Sequence, residues 1–175
     1  MHRAFFLAAL SLGLAAPALA QDGPATDLVA AFMLGVAAGE YVGVPGSEMA
    51  AIIEQTGPGA FSGSPENAAK IAFTVTEPSK CVFKIEFAQG GIFFGGIQLD
   101  AGKLVSASFE KLGDHAQTKD YAITLTGKDG IVQHLGPSGE LAPAEPNSVF
   151  ATSLTPETMQ AAFAALQASD CPAAT

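Results

Sequence analysis

The sequence predicts an α+β fold: two short N-terminal helices, an antiparallel sheet of about seven strands, and a C-terminal helix packed on the sheet. Three observations support this prediction. Apolar residues recur with helical spacing near both ends of the chain that follows residue 20, and they alternate with polar residues in its middle. The alternating runs are joined by short turn signals rather than by helices, which favours antiparallel pairing.

The first helix is predicted over residues 27–40, with Thr26 as its N-cap. Its apolar residues cover more than one stripe, which indicates a largely buried helix, packed in its own domain or against a partner. A second short helix is predicted over 48–55, capped by Ser47. The segment 56–65 is rich in glycine, proline and serine, and it has the composition of a flexible surface loop.

The sheet is predicted from residues that alternate with a period of two. Seven strands are expected, at 71–76, 81–87, 92–99, 103–110, 121–126, 130–135 and 148–153. The glycine-containing segments 126–130 and 100–102 are predicted to be hairpin turns. Gly95 and Gly96 lie inside a predicted strand, where glycine indicates a bulge or a sharp bend.

The C-terminal helix has the clearest start signal of the chain. Thr155 is expected to cap it, Pro156 takes its first position, and Glu157 complements the positive end of the helix dipole. The apolar residues that follow form one stripe, at Met159, Ala162, Phe163 and Leu166, which we expect to lie across the sheet.

Residues 1–20 are predicted to be a cleavable secretory signal peptide, and residues 21–175 a single domain. A basic start at Arg3 precedes an apolar run, and small residues stand before the expected new N-terminus, Gln21. The apolar run is shorter than the roughly 20 residues that span a bilayer, so we expect no stable membrane insertion after cleavage. The predicted location is periplasmic or secreted.

The two cysteines, Cys81 and Cys171, are expected to form one disulfide, since disulfides persist in exported proteins. A redox-active pair is the alternative, but its two thiols are usually close in sequence. The bridge would attach the end of the C-terminal helix to the strand at Cys81.

Charge disfavours one class of partner. The chain has a net charge of −9, and Arg3 is its only arginine, so the part after residue 20 carries 7 lysines against 17 acidic residues. Nucleic-acid binding depends on lysine and arginine that neutralise phosphates. We therefore expect no nucleic-acid partner.

No pattern predicts a catalytic, cofactor-binding or metal-binding residue. Ser62 and Ser138 lack the glycine spacing of a nucleophile elbow, and His115 and His134 are not spaced as metal ligands. The glycines at 90–96 are followed by a strand pattern, whereas a phosphate-binding loop ends in Gly-Lys followed by Ser or Thr before a helix.

The expected function is that of an exported, non-enzymatic domain that binds a protein partner or ligand through its N-terminal helix, the glycine-rich loop or a sheet edge. A hydrolase that uses Asp114, His115 and a serine is one alternative. A carrier of a small apolar molecule, bound beside Phe93 and Phe94, is the other.

Overall fold

The computed structural model describes residues 24–115, 117–169 and 171–174, so the predicted signal peptide lies outside the described residues. The described chain forms two α-helices and eleven strands. In chain order these are α1 (Ala25–Leu34), β1 (Tyr41–Val42), β2 (Ala51–Gly57), β3 (Ala60–Gly63), β4 (Ile71–Ser79), β5 (Val82–Gln89), β6 (Ile92–Asp100), β7 (Leu104–Asp114), β8 (Lys119–Gly127), β9 (Val132–Leu135), β10 (Leu141–Pro143), β11 (Asn147–Thr152) and α2 (Pro156–Ala168).

All eleven strands belong to one large, curled, antiparallel sheet, in the order β10-β9-β6-β5-β4-β3-β2-β1-β11-β8-β7. The predicted α+β fold with seven strands and three helices is therefore wrong, because the described chain is mainly β. All seven predicted strands are present, as β4 to β9 and β11. The four additional strands are β1, β2, β3 and β10. Of these, β2 and β3 lie in the region predicted to be a helix and a loop, and β1 lies between the two predicted N-terminal helices.

The predicted second helix at 48–55 is replaced mostly by strand β2, and the predicted loop at 56–65 by the β2–β3 hairpin. Ala51 and Ile53 are buried, whereas Ile52, which is 60% exposed, and Glu54 face solvent, and this period of two is that of a strand. Gly59 makes the hairpin possible, since its φ of +66° is in the left-handed region and its backbone closely approaches Val75.

Both predicted hairpin turns are wrong, although one of their glycines takes the positive φ that was expected. Gly130 has a φ of +75°, but β8 pairs with β7 and β11 while β9 pairs with β6 and β10. The β6–β7 and β8–β9 connections instead run side by side, and each joins a strand near one end of the strand order to a strand near the other end. The Lys128 N–H donates to the Lys103 carbonyl at 3.0 Å, and the Asp100 N–H donates to the Ile131 carbonyl at 2.8 Å. A turn signal reports a permitted backbone angle, not which strands pair.

Helix α1 fills the hollow of the curled sheet. It is buried as expected, and it packs within its own domain rather than against a partner. Every residue from 28 to 34 is buried, and the helix packs against α2, β4 and β5. It ends at Leu34 rather than near residue 40, because Gly35 takes a left-handed φ of +64° and lies against Thr152. Thr26 is not the N-cap, which is Pro24. Asp27 Oδ1 accepts a hydrogen bond from the Gly59 N–H at 2.6 Å.

Helix α2 confirms the predicted start. The Thr155 hydroxyl oxygen accepts a hydrogen bond from the Thr158 N–H at 3.2 Å, and Pro156 occupies the first turn. The predicted stripe is buried. It contacts α1 and β7 rather than lying across the middle of the sheet, and the rings of Phe163 and Phe32 meet edge to face with centroids 5.6 Å apart.

The predicted disulfide between Cys81 and Cys171 is confirmed, with Cα atoms 5.4 Å apart at a sequence separation of 90. Cys81 lies in the β4–β5 turn, one residue before β5. Among the described residues it is the one non-glycine residue with a positive φ, +61°. The bridge attaches the segment after α2 to this turn, whereas the sequence predicted an attachment to the strand itself.

Candidate functional site

The residues proposed for hydrolysis, Asp114 and His115, lie at the exposed β7–β8 turn, where each contacts another partner. The Asp114 carboxylate lies between Lys111 Nζ at 2.7 Å and Lys119 Nζ at 3.0 Å. The His115 Nε2 lies 3.1 Å from Asp120 Oδ2. Among the described residues, no serine is hydrogen-bonded to His115, so the structure does not bring together the three groups that this alternative requires.

The two lysines also make Asp114 a weak base. Hydrogen bonds from Lys111 and then Lys119 lower the pKa of the Asp114 carboxyl below its ordinary value of 3.8, and the same contact raises the pKa of Lys111. A general base works best with a pKa near the pH at which it acts. The arrangement is therefore that of a surface ion-pair cluster at the end of a hairpin.

We expect Lys111→Gln to raise the pKa of Asp114 toward 3.8, as measured by NMR titration of its carboxyl carbon, because the larger of its two stabilising contacts is lost. A carboxyl with a depressed pKa contributes stability above its unfolded-state pKa and loses it as the pH falls through the folded-state pKa. The variant should therefore reduce the stability difference between neutral and acidic pH. Lys84→Gln, which breaks the Lys84–Glu86 pair instead, is the matched control. An unchanged Asp114 titration in Lys111→Gln would contradict the proposed cause.

The residues proposed to line an apolar carrier site, Phe93 and Phe94, lie at a bulge in β6. Phe87 of β5 pairs with Gly95 and Ala88 pairs with Phe93, so Phe94 is the extra residue, and the bulge predicted from the glycines is confirmed. Phe94 is 50% exposed, and its ring centroid lies 6.2 Å from that of Phe87. The ring is therefore open to solvent rather than enclosed in a pocket.

The remaining polar residues singled out in the sequence do not converge on a site. His134 is exposed on β9, and Ser138 lies in the β9–β10 turn, where its N–H donates to Glu140 at 3.1 Å. Ser62 is part of β3 rather than of a loop. Its side chain is buried, and its hydroxyl has no hydrogen-bond partner among the described residues.

One cluster of metal-ligating atom types occurs in the described ranges, formed by Glu77, Cys81 and Cys171. Both sulfurs are joined in the disulfide, so neither is present as the thiolate that binds metals. Glu77 Oε1 accepts a hydrogen bond from the Cys81 N–H at 2.8 Å, which gives the carboxylate a structural role at the turn.

The edge of the sheet at β7 is the feature best suited to contact another chain. β7 is eleven residues long, and no described strand pairs with its outer side. Its start is covered: the Ala174 N–H donates to the Leu104 carbonyl at 3.0 Å, and the Gln167 side-chain amide of α2 donates to the Val105 carbonyl at 3.5 Å. Bulges at 104–106 and 111–113 leave a regular stretch from Ser106 to Lys111.

Comparison with known protein families, with curated proteins and with solved structures gives no match for this chain. In the three described ranges, neither helix has the length and apolar character needed to cross a membrane.

Proposed function

We propose that this protein is an exported, non-enzymatic binding domain that takes up an extended segment of a partner protein along the outer side of β7. The disulfide is compatible with an oxidising compartment outside the cytoplasm. Of the three contact surfaces expected from the sequence, the N-terminal helix is buried and the glycine-rich segment is a hairpin, which leaves a sheet edge.

The observation that carries the proposal is the unpaired stretch of β7 from Ser106 to Lys111. An edge strand presents backbone N–H and C=O groups that an added strand can pair with, and strand addition is a common mode of peptide recognition. The chain's own C-terminal segment already donates to this edge at Leu104. The edge therefore accepts backbone donors from a segment that is not part of the sheet.

Charge indicates the chemistry of the segment. The chain carries a net charge of −9, and an acidic protein attracts basic partners at a distance. Glu110 is exposed within the unpaired stretch, and Leu112, just beyond it, is 55% exposed. We therefore propose a partner segment that combines lysine or arginine with apolar residues at alternate positions.

The test uses the full protein and synthetic nonapeptides of alternating basic and apolar residues. We expect binding to slow hydrogen exchange of amides within residues 106–111, because an added strand satisfies their outward-facing groups. Two peptides are N-methylated on the backbone at alternate residues, one at the odd and one at the even positions. Methylation of the N–H groups that face β7 should remove binding, whereas methylation of those that face away should preserve it. Protection elsewhere on the protein, or equal binding of the two methylated peptides, would overturn the proposal.

The charge contribution is tested with Glu110→Lys, which reverses a charge within the stretch. We expect this variant to bind the basic peptides more weakly, with most of the change in the association rate and at low salt. Glu140→Lys makes the same substitution near the opposite edge of the sheet, and we expect it to have a smaller effect. Equal effects of the two variants would indicate attraction by net charge alone.

A further inference from the structure

We propose that this protein, when its disulfide is reduced, binds a Zn²⁺ ion through Glu77, Cys81 and Cys171. In the described ranges these residues form the one group of metal-ligating atom types, and a carboxylate oxygen and the two Sγ atoms all lie within 4.8 Å of one another. The bridge and the metal are then two alternative ways to attach the segment after α2 to the β4–β5 turn. They exclude each other, because the disulfide uses the sulfurs that the metal needs.

The spacing of the three atoms suits a tetrahedral ion. Zn–S bonds of about 2.3 Å and Zn–O bonds of about 2.0–2.2 Å place the ligand atoms of one tetrahedral ion about 3.5–3.8 Å apart. Once the S–S bond is broken, the Sγ atoms of Cys81 and Cys171 separate to van der Waals contact, which is close to this spacing. The carboxylate oxygen of Glu77 then needs to approach by about 1 Å, which rotation of an exposed side chain can supply.

Contacts other than the disulfide hold both cysteines in place. The Cys81 carbonyl accepts a hydrogen bond from the Ala101 N–H at 2.8 Å. In the segment that carries Cys171, the Ala174 N–H donates to the Leu104 carbonyl at 3.0 Å. The buried stripe of α2 positions the same segment from its other side. Reduction therefore leaves the two thiols next to each other, as a metal site requires.

The β4–β5 turn itself positions Glu77 as the third ligand. The Cys81 N–H donates to Glu77 Oε1 at 2.8 Å, and a hydrogen bond that orients a ligand increases metal affinity. Glu77 is exposed, whereas Cys81 and Cys171 are 7% and 2% exposed. The ion can therefore enter past Glu77, and water can take the fourth position. Two buried thiolates without a counter-ion are strongly unfavourable, and a divalent cation supplies the opposite charge.

Reduction is a two-electron step, for which the reductant is an external dithiol. Thiol–disulfide exchange breaks the Cys81–Cys171 bond, gives each sulfur a proton and leaves the reductant as a disulfide. Binding of Zn²⁺ then releases both thiol protons to solvent, because the thiolate is the form that coordinates a metal. Thiolates prefer Zn²⁺ to Ca²⁺ and Mg²⁺, which take oxygen ligands. The ligand is therefore a thiophilic divalent cation.

The test reduces the full protein with a phosphine, removes the reductant without air, and titrates the protein with Co²⁺ as a spectroscopic substitute for Zn²⁺. We expect the intense visible absorption of tetrahedral Co²⁺ with thiolate ligands, which Zn²⁺ then displaces. Zn²⁺ should also slow the alkylation of both thiols. The unreduced protein should show no absorption. Absorption without reduction, no absorption with Co²⁺ in excess, or alkylation at an unchanged rate would each overturn the proposal.

A variant of the third ligand separates this site from binding by the cysteines alone. Glu77→Gln keeps an oxygen that can accept from the Cys81 N–H and removes the carboxylate. We expect it to weaken Zn²⁺ binding by at least about tenfold, measured by competition with a chromophoric chelator. Glu145→Gln removes one negative charge in the β10–β11 connection and is the matched control, which should bind as the wild type does. Equal affinity of Glu77→Gln and the wild type would contradict the three-ligand site.

Loss of folding in the reduced protein also gives a decisive result. An ion that binds the folded state and not the unfolded state stabilises the folded state by mass action. If reduction with a chelator present unfolds the chain, Zn²⁺ should restore its native circular dichroism spectrum. A reduced chain that stays unfolded with Zn²⁺ in excess would overturn the proposal.

Discussion

Replacing both cysteines, Cys81→Ala with Cys171→Ala, is expected to lower the free energy of unfolding by about 4–5 kcal/mol. The bridge closes a loop across a sequence separation of 90 residues, so its loss gives the unfolded chain much more conformational freedom. A change of this size is comparable to the whole stability of many small domains. Urea unfolding followed by circular dichroism measures it, and thiol reduction of the wild-type protein should produce a similar loss.

The backbone at Cys81 provides a matched comparison. Its φ of +61° is unfavourable for any residue with a Cβ and favourable for glycine. We therefore expect the pair Cys81→Gly with Cys171→Ala to be more stable than the alanine pair by about 1 kcal/mol. The unfolded, unreduced wild-type protein should take up no alkylating reagent. Two labelled cysteines per chain, or an alanine pair as stable as the wild type, would contradict the role of the bridge.

The second large effect is expected at Phe32, in the middle of α1. Phe32→Ala should lower the free energy of unfolding by about 3–5 kcal/mol, because it opens a cavity at a fully buried position. The lost ring also makes the edge-to-face contact with Phe163 that holds α1 against α2. Chemical denaturation measures the loss.

Phe94→Ala is the matched control, since the same side chain is removed where it is 50% exposed. We expect a loss of less than about 1 kcal/mol there, because about half of the side chain already contacts water. A double-mutant cycle between Phe32 and Phe163 should give a coupling of about 0.5–1.5 kcal/mol. Equal losses at Phe32 and Phe94 would contradict the position of α1 at the centre of the core.

Local signals predicted the parts of the fold that depend on near neighbours. The start of α2 follows from Thr155 and Pro156, whose effects act within one helical turn. The strand at 81–87 follows from its alternating side chains, and the disulfide follows from having two cysteines in a chain with a predicted export signal. These inferences required no knowledge of which strands are adjacent.

The errors occurred where neighbours distant in sequence decide the structure. Met49, Ile52 and Ile53 can form one helical face, yet β2 pairs with β1 and β3, and this pairing exposes Ile52. Glycines at 126–130 predicted a hairpin, although the strands on either side belong to different parts of the sheet. Hydrophobic spacing over a few residues does not distinguish these outcomes, because a short apolar run satisfies both periods.

The candidate sites show the same division. By itself the sequence determined the alternation of most strands, the second helix, the cysteine pair and the excess of negative charge, because each depends on residue type and local spacing. Only the tertiary structure decided that β7 is an edge and that Asp114 contacts lysines. Strand order and register set these contacts, and both result from burying one face of a curled sheet around α1.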